Sequence, residues 1–503
     1  MNSREKKALP DFFNNDHLKD HLGRRAVRGG GVSVLSRVTG FAIQMVGVVV
    51  LARLLSPADF GLVAMVTAIT EVFYLFKDLG LSYATVQEPR INHDQVSTLF
   101  WINLVFGIIV TLLIVLISPA VAWFYHKPQL RLITIVSAVN FLFVGLSTQH
   151  LALLKRNMAF VQMAVVEITA AFLSTFVAIG LAWQGWGYWS LVLRPLLLGL
   201  FTTGGAWLFC KWRPGRPVRR SGVRPLLKFG ANTLTGYLFD YITLNLDKTL
   251  IGRKFGSDQI GYYQRASYLS KIASDTLTMS LTNVAVATLS KLRGEAVQYR
   301  RFYLKGLSII SFIGMPLSVF MLIASRDIVY VLLGPQWGQT AVIFSVLGLS
   351  TGLYLVYNTN GWLHMSLGRS DRFKKWAMLA AGVYSAAILI GLAFSVTAVA
   401  LAYTIATFLL MVPCLLYAGK PIGLSFSEIL SSLWRYVLAA VFSGAICRYL
   451  LFSLLATDII LLNLIMELAA YALVYLILLV SLFGSPKPIM EYYDLLRSMK
   501  RSV

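Results

Sequence analysis

Long apolar runs separated by short polar stretches make up most of this 503-residue chain. Most runs reach the roughly 20 residues that an α-helix needs to cross a bilayer, and none alternates as a barrel strand would. The pattern therefore predicts an all-α, polytopic membrane protein. We number the predicted transmembrane helices as spans 1 to 14, at residues 32–52, 59–80, 97–124, 131–154, 159–183, 187–209, 226–251, 260–289, 302–324, 338–364, 375–395, 397–418, 430–454 and 457–483.

The same pattern, an apolar run that ends at an Arg and a Gly that opens the next run, occurs twice in the chain, about 200 positions apart. The segment LARLLSPADFGLVAM at 51–65 is matched by IGRKFGSDQIGYYQ at 251–264, and the same offset places spans 1–6 over spans 7–12. A repeat of six helices preserves orientation, so it predicts two six-helix bundles related by a pseudo-two-fold axis along the membrane normal. Two further helices follow the second bundle, and a cavity is expected between the bundles.

The predicted spans and basic segments divide the chain into six parts. They are a cytoplasmic basic tail (1–31), an N-terminal six-helix bundle (32–210), a basic cytoplasmic linker (211–225), a C-terminal six-helix bundle (226–418), helices 13 and 14 (430–483) and a cytoplasmic tail (484–503).

The basic residues predict the orientation. Of the 45 Lys and Arg residues, 32 fall on the side that carries both termini and six fall in the opposite loops. Positive residues stay on the cytoplasmic side, so both termini are expected there. The net charge of +23 then reflects topology and attraction to anionic headgroups, and no nucleic-acid partner is expected.

Composition agrees with a membrane protein and excludes several kinds of chemistry. The chain is 57% apolar and only 13% charged, against about 25% charged in soluble domains. It has no phosphate-binding G-x-x-x-x-G-K-[ST] loop, and its three cysteines and six histidines show no metal-ligand spacing. We therefore expect no cofactor, no metal and no enzymatic activity. We also expect the protein to function within the bilayer.

Ionisable residues inside the spans point to a polar path. Each would cost about 3 kcal/mol facing lipid at mid-depth. Beyond the first turn of each span, nine lie in spans 2, 7 and 8, and span 1 adds Arg37 on a stripe with Ser33, Gly40 and Gln44. We predict a water-filled cavity lined by spans 1, 2, 7 and 8. The candidate substrate-binding residues are Arg37, Lys77, Asp78, Asp240, Asp247, Lys248, Arg265 and Lys271.

Some of these charges have a structural alternative. Lys271 and Asp275 are four residues apart and can neutralise each other, and Lys248 can pair with Asp240 or Asp247. Arg37 and Arg265 have no acid within helical reach in their own spans, which favours contact with substrate or with another helix. Three other charges are interpreted as contacts within the bundles or charges near span ends: Glu167, Glu467 and Arg448.

Arg53 and Arg253 occupy matching positions in the two halves. Each closes an apolar run, where a cation suits the carbonyl end of a helix, and after Arg53 the segment SPAD at 56–59 predicts a capped helix start. One interpretation is capping and interfacial anchoring; the other is a gate contact on the outer side.

Three segments carry a family resemblance: LARLLSPADFGLVAM, KDLGLSYATVQ at 77–87 and LDKTLIGRKFGSDQIGYYQRA at 246–266. They resemble the polysaccharide transporter family, in particular its Wzx-type, colanic-acid-exporter-like branch, within the multidrug/oligosaccharidyl-lipid/polysaccharide flippase superfamily. The resemblance covers spans 1–12, and spans 13 and 14 are similar to those of its fourteen-helix members.

The resemblance implies a flippase of the bacterial inner membrane. Such a protein moves undecaprenyl-diphosphate-linked oligosaccharide units across that membrane for O-antigen, capsule or exopolysaccharide assembly, by alternating access through a cationic cavity. It implies cavity roles for the matching residues Arg37, Lys77, Asp78, Asp247, Lys248 and Arg265. The expected partners are the lipid-linked oligosaccharide and membrane lipids, and the candidate protein partners are a polysaccharide polymerase and a chain-length regulator.

Two other functions stay open at this point. A cation-coupled small-molecule exporter of the same superfamily would favour acids over arginines in the cavity. A membrane glycan polymerase or ligase would need a large extracytoplasmic loop with catalytic residues, which the short predicted outer loops do not provide.

Overall fold

The computed structural model describes residues 22–76, 81–88, 91–218, 224–452, 457–486 and 490, without the side chains of residues 22–28, 75, 76, 81, 83, 84, 224–244, 276, 277, 279, 280 and 283. Throughout these residues the regular structure is helical, which confirms the all-α prediction. The chain divides into two compact units, residues 1–261 and 262–503, which are described separately below.

Unit 1 contains eight helices and the first part of a ninth among its described residues. They are α1 (Leu22–Leu54), α2 (Pro57–Thr70), α3 (Leu81–Gln87), α4 (His93–Tyr125), α5 (Gln129–Ala138), α6 (Asn140–Arg156), α7 (Phe160–Trp183), α8 (Tyr188–Cys210) and α9 (Arg224–Lys291). Within the unit, α4 packs on α6, α6 on α8, α7 on α8 and α1 on α7.

Unit 2 begins inside α9 and continues to the end of the chain. Its other described helices are α10 (Ala296–Ile323), α11 (Ser325–Leu332), α12 (Gly338–Asn358), α13 (Asn360–Ser366), α14 (Ser370–Leu392), α15 (Val396–Gly419), α16 (Phe426–Ile446) and α17 (Ile460–Phe483). The pairs α10 and α12, α12 and α15, and α14 and α15 pack as their counterparts do in unit 1.

The predicted count of about fourteen spans is confirmed. Twelve spans of the described chain are long and apolar enough to cross a membrane. The remaining two predictions, spans 7 and 8, are the two parts of α9, which breaks at Gly256. Gly256 has φ 84° and ψ −175°, a conformation that glycine adopts without steric cost.

Span 2 differs from the prediction of one continuous helix. Its start is as expected, because Ser56 and Asp59 form a capping box before Pro57. However, α2 ends at Thr70 and the chain continues as a 3₁₀ helix over Glu71–Phe76. Its sequence EVFYLF is rich in β-branched and aromatic residues, which restrict side-chain freedom in an α-helix. A short 3₁₀ stretch within a helix often marks a hinge.

Each unit contains a matching close crossing of two helices. In unit 1, α4 and α6 cross at Gly107 and Gly145; in unit 2, α10 and α12 cross at Gly314 and Gly352. The two glycines of each pair are the same number of residues apart along the chain. A Cβ at Gly145 would lie 2.9 Å from a backbone oxygen of α4, so the crossing requires glycine. The recurrence of this crossing supports the predicted repeat.

The last two membrane helices are part of unit 2. Both α16 and α17 pack on α10, and their apolar residues share one core with it. The hydroxyl of Tyr475 on α17 donates a hydrogen bond to the carbonyl of Phe312 on α10 (3.0 Å). The predicted spans 13 and 14 therefore extend the second bundle.

Candidate functional site

The first part of α9 positions Asp247 and Lys248 near the break at Gly256. Lys248 Nζ donates a hydrogen bond to Asn245 Oδ1 (2.9 Å), one helical turn earlier. Asp247 is buried, and its Oδ1 accepts a hydrogen bond from the Lys248 amide (2.7 Å). An ammonium group has three donors, so fixing one of them on an amide oxygen orients the cation.

The second part of α9 carries the other predicted charges at helical spacing. Arg265 is half-buried, and its guanidinium carbon lies 5.1 Å from the centre of the Tyr268 ring, a cation–π contact. Lys271 and Asp275 are exposed one turn apart, where their opposite charges attract each other. These four residues lie on one side of the helix, which gives it a polar stripe.

Helix α1 leaves Arg37 exposed. The neighbouring Ser36 is buried against α7, where its hydroxyl donates to Glu167 Oε2 (3.3 Å). Further along, Gly47 faces α7 and α8, and a Cβ there would lie 3.4 Å from Arg194 Nη2. Contacts with α7 and α8 therefore fix α1 in place, while the Arg37 side chain is exposed.

The other three predicted residues cannot be placed in the same detail. Lys77 and Asp78 lie outside the described residues, and Asp240 lies on the first part of α9 with its side chain outside them. Their assignment stays a prediction.

The 3₁₀ segment of span 2 is anchored by Tyr74. Its hydroxyl accepts a hydrogen bond from the side-chain Nδ2 of Asn140, and the centre of its ring lies 5.0 Å from the centre of the Phe141 ring. Glu71, at the start of the segment, is exposed. This packing fixes Tyr74 against the start of α6.

The start of α2 crosses the start of the second part of α9, which follows the break at Gly256. Gly61 of α2 lies on the backbone carbonyl of Ser257, and Gly261 lies on the backbone carbonyl of Pro57. The contact is reciprocal, since Gly61 and Gly261 are 200 positions apart and so are Pro57 and Ser257. The crossing therefore pairs equivalent residues of the two sequence repeats.

The end of α4 packs beside this crossing. Lys127 Nζ lies 3.1 Å from Ser257 Oγ, and the Arg253 guanidinium carbon lies 5.6 Å from the centre of the Phe124 ring. Arg53 is exposed. Arg253 thus contributes to the packing around the crossing, which agrees with either predicted role for this pair of arginines.

The linker after α8 makes contacts that the sequence did not indicate. In its described part, 211–218, the Gly215 amide donates to Ser97 Oγ (2.9 Å) and the Val218 amide to Thr98 Oγ1 (3.1 Å). Trp101 Nε1 donates to the Gly215 carbonyl (2.8 Å). Backbone contacts with residues more than a hundred positions away leave no local pattern in a sequence.

Among the described residues, no cluster of three or more His, Cys, Asp or Glu side chains could hold a metal ion.

Comparison with known proteins gives a consistent relationship. Residues 50–342 match the polysaccharide biosynthesis protein family. The chain is 24% identical over 379 residues to the lipopolysaccharide biosynthesis protein WzxC of Escherichia coli (strain K12), covering 74% of this chain and 76% of WzxC. It is 26% identical over 358 residues to the teichuronic acid biosynthesis protein TuaB of Bacillus subtilis (strain 168), covering 71% and 74% of the two chains.

The fold is also shared with a solved flippase. The lipid II flippase MurJ, in an inward closed conformation, superposes with a TM-score of 0.69 at 16% identity, covering 93% of this chain and all of the other. At this identity the likeness concerns the fold alone.

Proposed function

The chain belongs to the polysaccharide biosynthesis protein family, and we propose that it is a flippase of the bacterial inner membrane. Its substrate would be an oligosaccharide unit linked through diphosphate to a polyprenol, which it moves from the cytoplasmic to the outer leaflet. Both termini lie in the cytoplasm in this proposal.

The polar character of α9 carries the proposal. Each part of α9 is longer than the roughly 20 residues that span a bilayer, yet neither is apolar enough to count among the twelve candidate spans. The helix carries Asp247, Lys248, Arg265 and Lys271, which would be costly in contact with lipid. A helix pair of this kind is suited to line a hydrated path.

In this proposal, the cationic residues bind the diphosphate and the other polar residues bind the sugars. The guanidinium groups of Arg37 and Arg265 and the ammonium of Lys248 would bind the diphosphate, because charge-assisted hydrogen bonds to phosphate oxygens are the strongest available. Asp247 would accept hydrogen bonds from sugar hydroxyls, and the Asn245 side-chain amide would accept hydrogen bonds from them or donate hydrogen bonds to them. The polyprenyl tail would remain in the hydrocarbon, so only the headgroup needs the polar path.

Alternating access would complete the transport cycle. The headgroup binds from the cytoplasmic side, and a crossing such as that of Gly61 and Gly261 closes the opposite side until the substrate is bound. Outward movement of an anion in an inside-negative membrane is favourable by about 2.3 kcal/mol per charge per 100 mV. Removal of the flipped unit by polymerisation would favour the same direction.

Depletion of the protein in its native host tests this function. We expect lipid-linked oligosaccharide to accumulate in the membrane, measured by mass spectrometry of extracted lipids, and surface polysaccharide to disappear. Normal surface glycan together with increased drug sensitivity would contradict the flippase and favour a small-molecule exporter.

A further inference from the structure

A buried acid on α17 has no role in the proposed substrate path. Glu467 is 8% exposed, and its Oε2 atom has no hydrogen-bond partner among the described residues. A buried carboxylate oxygen without a donor is strongly unfavourable. The group therefore needs a neutralising ligand or partner.

The neighbour of Glu467 is a second acid. Asp327, in the first turn of α11, lies within hydrogen-bonding reach of the Glu467 carboxyl group, and α11 packs on α17. Ionised carboxylates can only accept hydrogen bonds. A hydrogen bond between these two groups therefore requires a proton on one of them.

Cations lie on the turn after α16 and on α11 itself. Arg448 lies in the π-helical turn Cys447–Leu451 that follows α16, and its charge is attractive to Glu467. Turns of this kind are rare and often occur at functional sites. On α11 itself, Arg326 is exposed and its guanidinium carbon lies 5.3 Å from the centre of the Tyr330 ring. On α10 and α16, helices that also pack on α17, four charged residues lie towards the opposite ends: Arg300, Arg301, Lys305 and Glu428. Arg435 lies at the middle of α16, with its guanidinium carbon 4.6 Å from the centre of the Phe483 ring.

The charge balance indicates which ligand fits. The two carboxylates and Arg448 leave a net charge of −1, which one proton neutralises, while the exposed Arg326 lies over the Tyr330 ring. A metal ion would need several further oxygen ligands and would be repelled by the guanidinium. The described residues offer no cluster of three acidic, His or Cys side chains to bind it.

We propose that Glu467 and Asp327 form a proton-binding site at the end of α17 where it meets α11. When occupied, the site holds one proton between two carboxyl oxygens and keeps α11 and α17 in contact. Loss of the proton leaves two adjacent carboxylates, whose repulsion loosens this contact. In the predicted orientation this end of the bundle faces outward, so external pH sets its occupancy.

Infrared spectroscopy of the full-length protein in lipid tests the proposal without a transport assay. At a pH where exposed carboxyl groups are ionised, we expect the carbonyl band of one protonated carboxyl group, shifted in heavy water. Glu467→Gln should remove this band. Asp327→Asn should move its loss to lower pH, because the like charge is gone. Asp458→Asn, at an exposed acid just before α17, should leave the band unchanged.

Three results would overturn the assignment. They are the absence of the band in the unmodified protein, its persistence in Glu467→Gln, and its disappearance when sodium is added at constant pH, which would assign the site to a metal cation. If Glu467→Gln fails to accumulate, Asp327→Asn decides the question, since a band that titrates as in the unmodified protein excludes the shared proton. Flippase activity enters none of these readouts, so the two proposals can fail separately.

Discussion

Gly61 lies so close to the backbone carbonyl of Ser257 that a Cβ atom could not be accommodated between them. The equivalent contact, of Gly261 with Pro57, is made at the same crossing. Because the obstructing atoms belong to the backbone, no side chain can move aside to admit a larger residue.

Alanine at either glycine should therefore destabilise the crossing. We expect Gly61→Ala and Gly261→Ala each to lower the free energy of unfolding by about 1–3 kcal/mol, the usual cost of overpacking. Thermal unfolding of the purified protein in detergent would measure the change.

The matched control is Gly180→Ala on α7, where a Cβ would meet nothing within 4 Å. There, alanine should be neutral or should stabilise the helix by up to about 1 kcal/mol, since it has the higher helix propensity. Equal effects at Gly61 and Gly180 would contradict the steric argument.

Much of the fold could be predicted from the sequence because it depends on the lengths of the apolar runs and on a sequence pattern that recurs 200 positions apart. The spans, the capped start at Ser56 and the six-helix repeat follow from such local signals. The end of α2 at Thr70 does not, since its 3₁₀ continuation is held by a contact of Tyr74 with distant Asn140. The sequence predicted a loop around Gly256, whereas the structure turns the helix at this single residue.

The candidate site was predictable only in part. Asn245 and Lys248 are three residues apart, a spacing at which helical side chains meet, so their hydrogen bond could have been anticipated. The contact of Ser36 with Glu167 joins residues 131 positions apart, and only the packing of α1 on α7 shows it. The exposure of Arg37 follows from the same packing.

Removal of the cations that we propose to bind substrate should abolish transport without unfolding the protein. Arg37→Ala and Arg265→Ala would each delete a charged donor proposed to bind the diphosphate, which is worth about 1.5–3 kcal/mol, or roughly ten- to 150-fold in affinity. We expect loss of surface polysaccharide in complemented cells at unchanged protein level in the membrane, checked by immunoblotting.

Arg300→Ala is the matched control for these two variants. Arg300 lies 3.3 Å from Glu428 in a partly exposed ion pair, which contributes little to stability. Its loss should leave surface polysaccharide intact. Normal polymer in both Arg37→Ala and Arg265→Ala cells would remove the cationic path from the proposal.

The close crossing of α10 and α12 should be as sensitive as that of the helix starts. A Cβ at Gly352 would meet the Gly314 backbone and lie 2.6 Å from Ser318 Oγ, which also accepts a hydrogen bond from the Gly352 amide. We expect Gly352→Ala to lower stability by about 1–3 kcal/mol. Gly361→Ala, where nothing lies within 4 Å, should not, and a similar loss in both would refute the prediction.

The predicted orientation can be tested by labelling single introduced cysteines in intact cells. Lys254 and Pro217 are both exposed, and they fall on opposite sides of the membrane in the predicted topology. The three native cysteines, Cys210, Cys414 and Cys447, are free and buried, so they should give little background. A membrane-impermeant maleimide should label Lys254→Cys in intact cells but Pro217→Cys only after permeabilisation. Labelling of both from outside would contradict the topology on which the direction of transport depends.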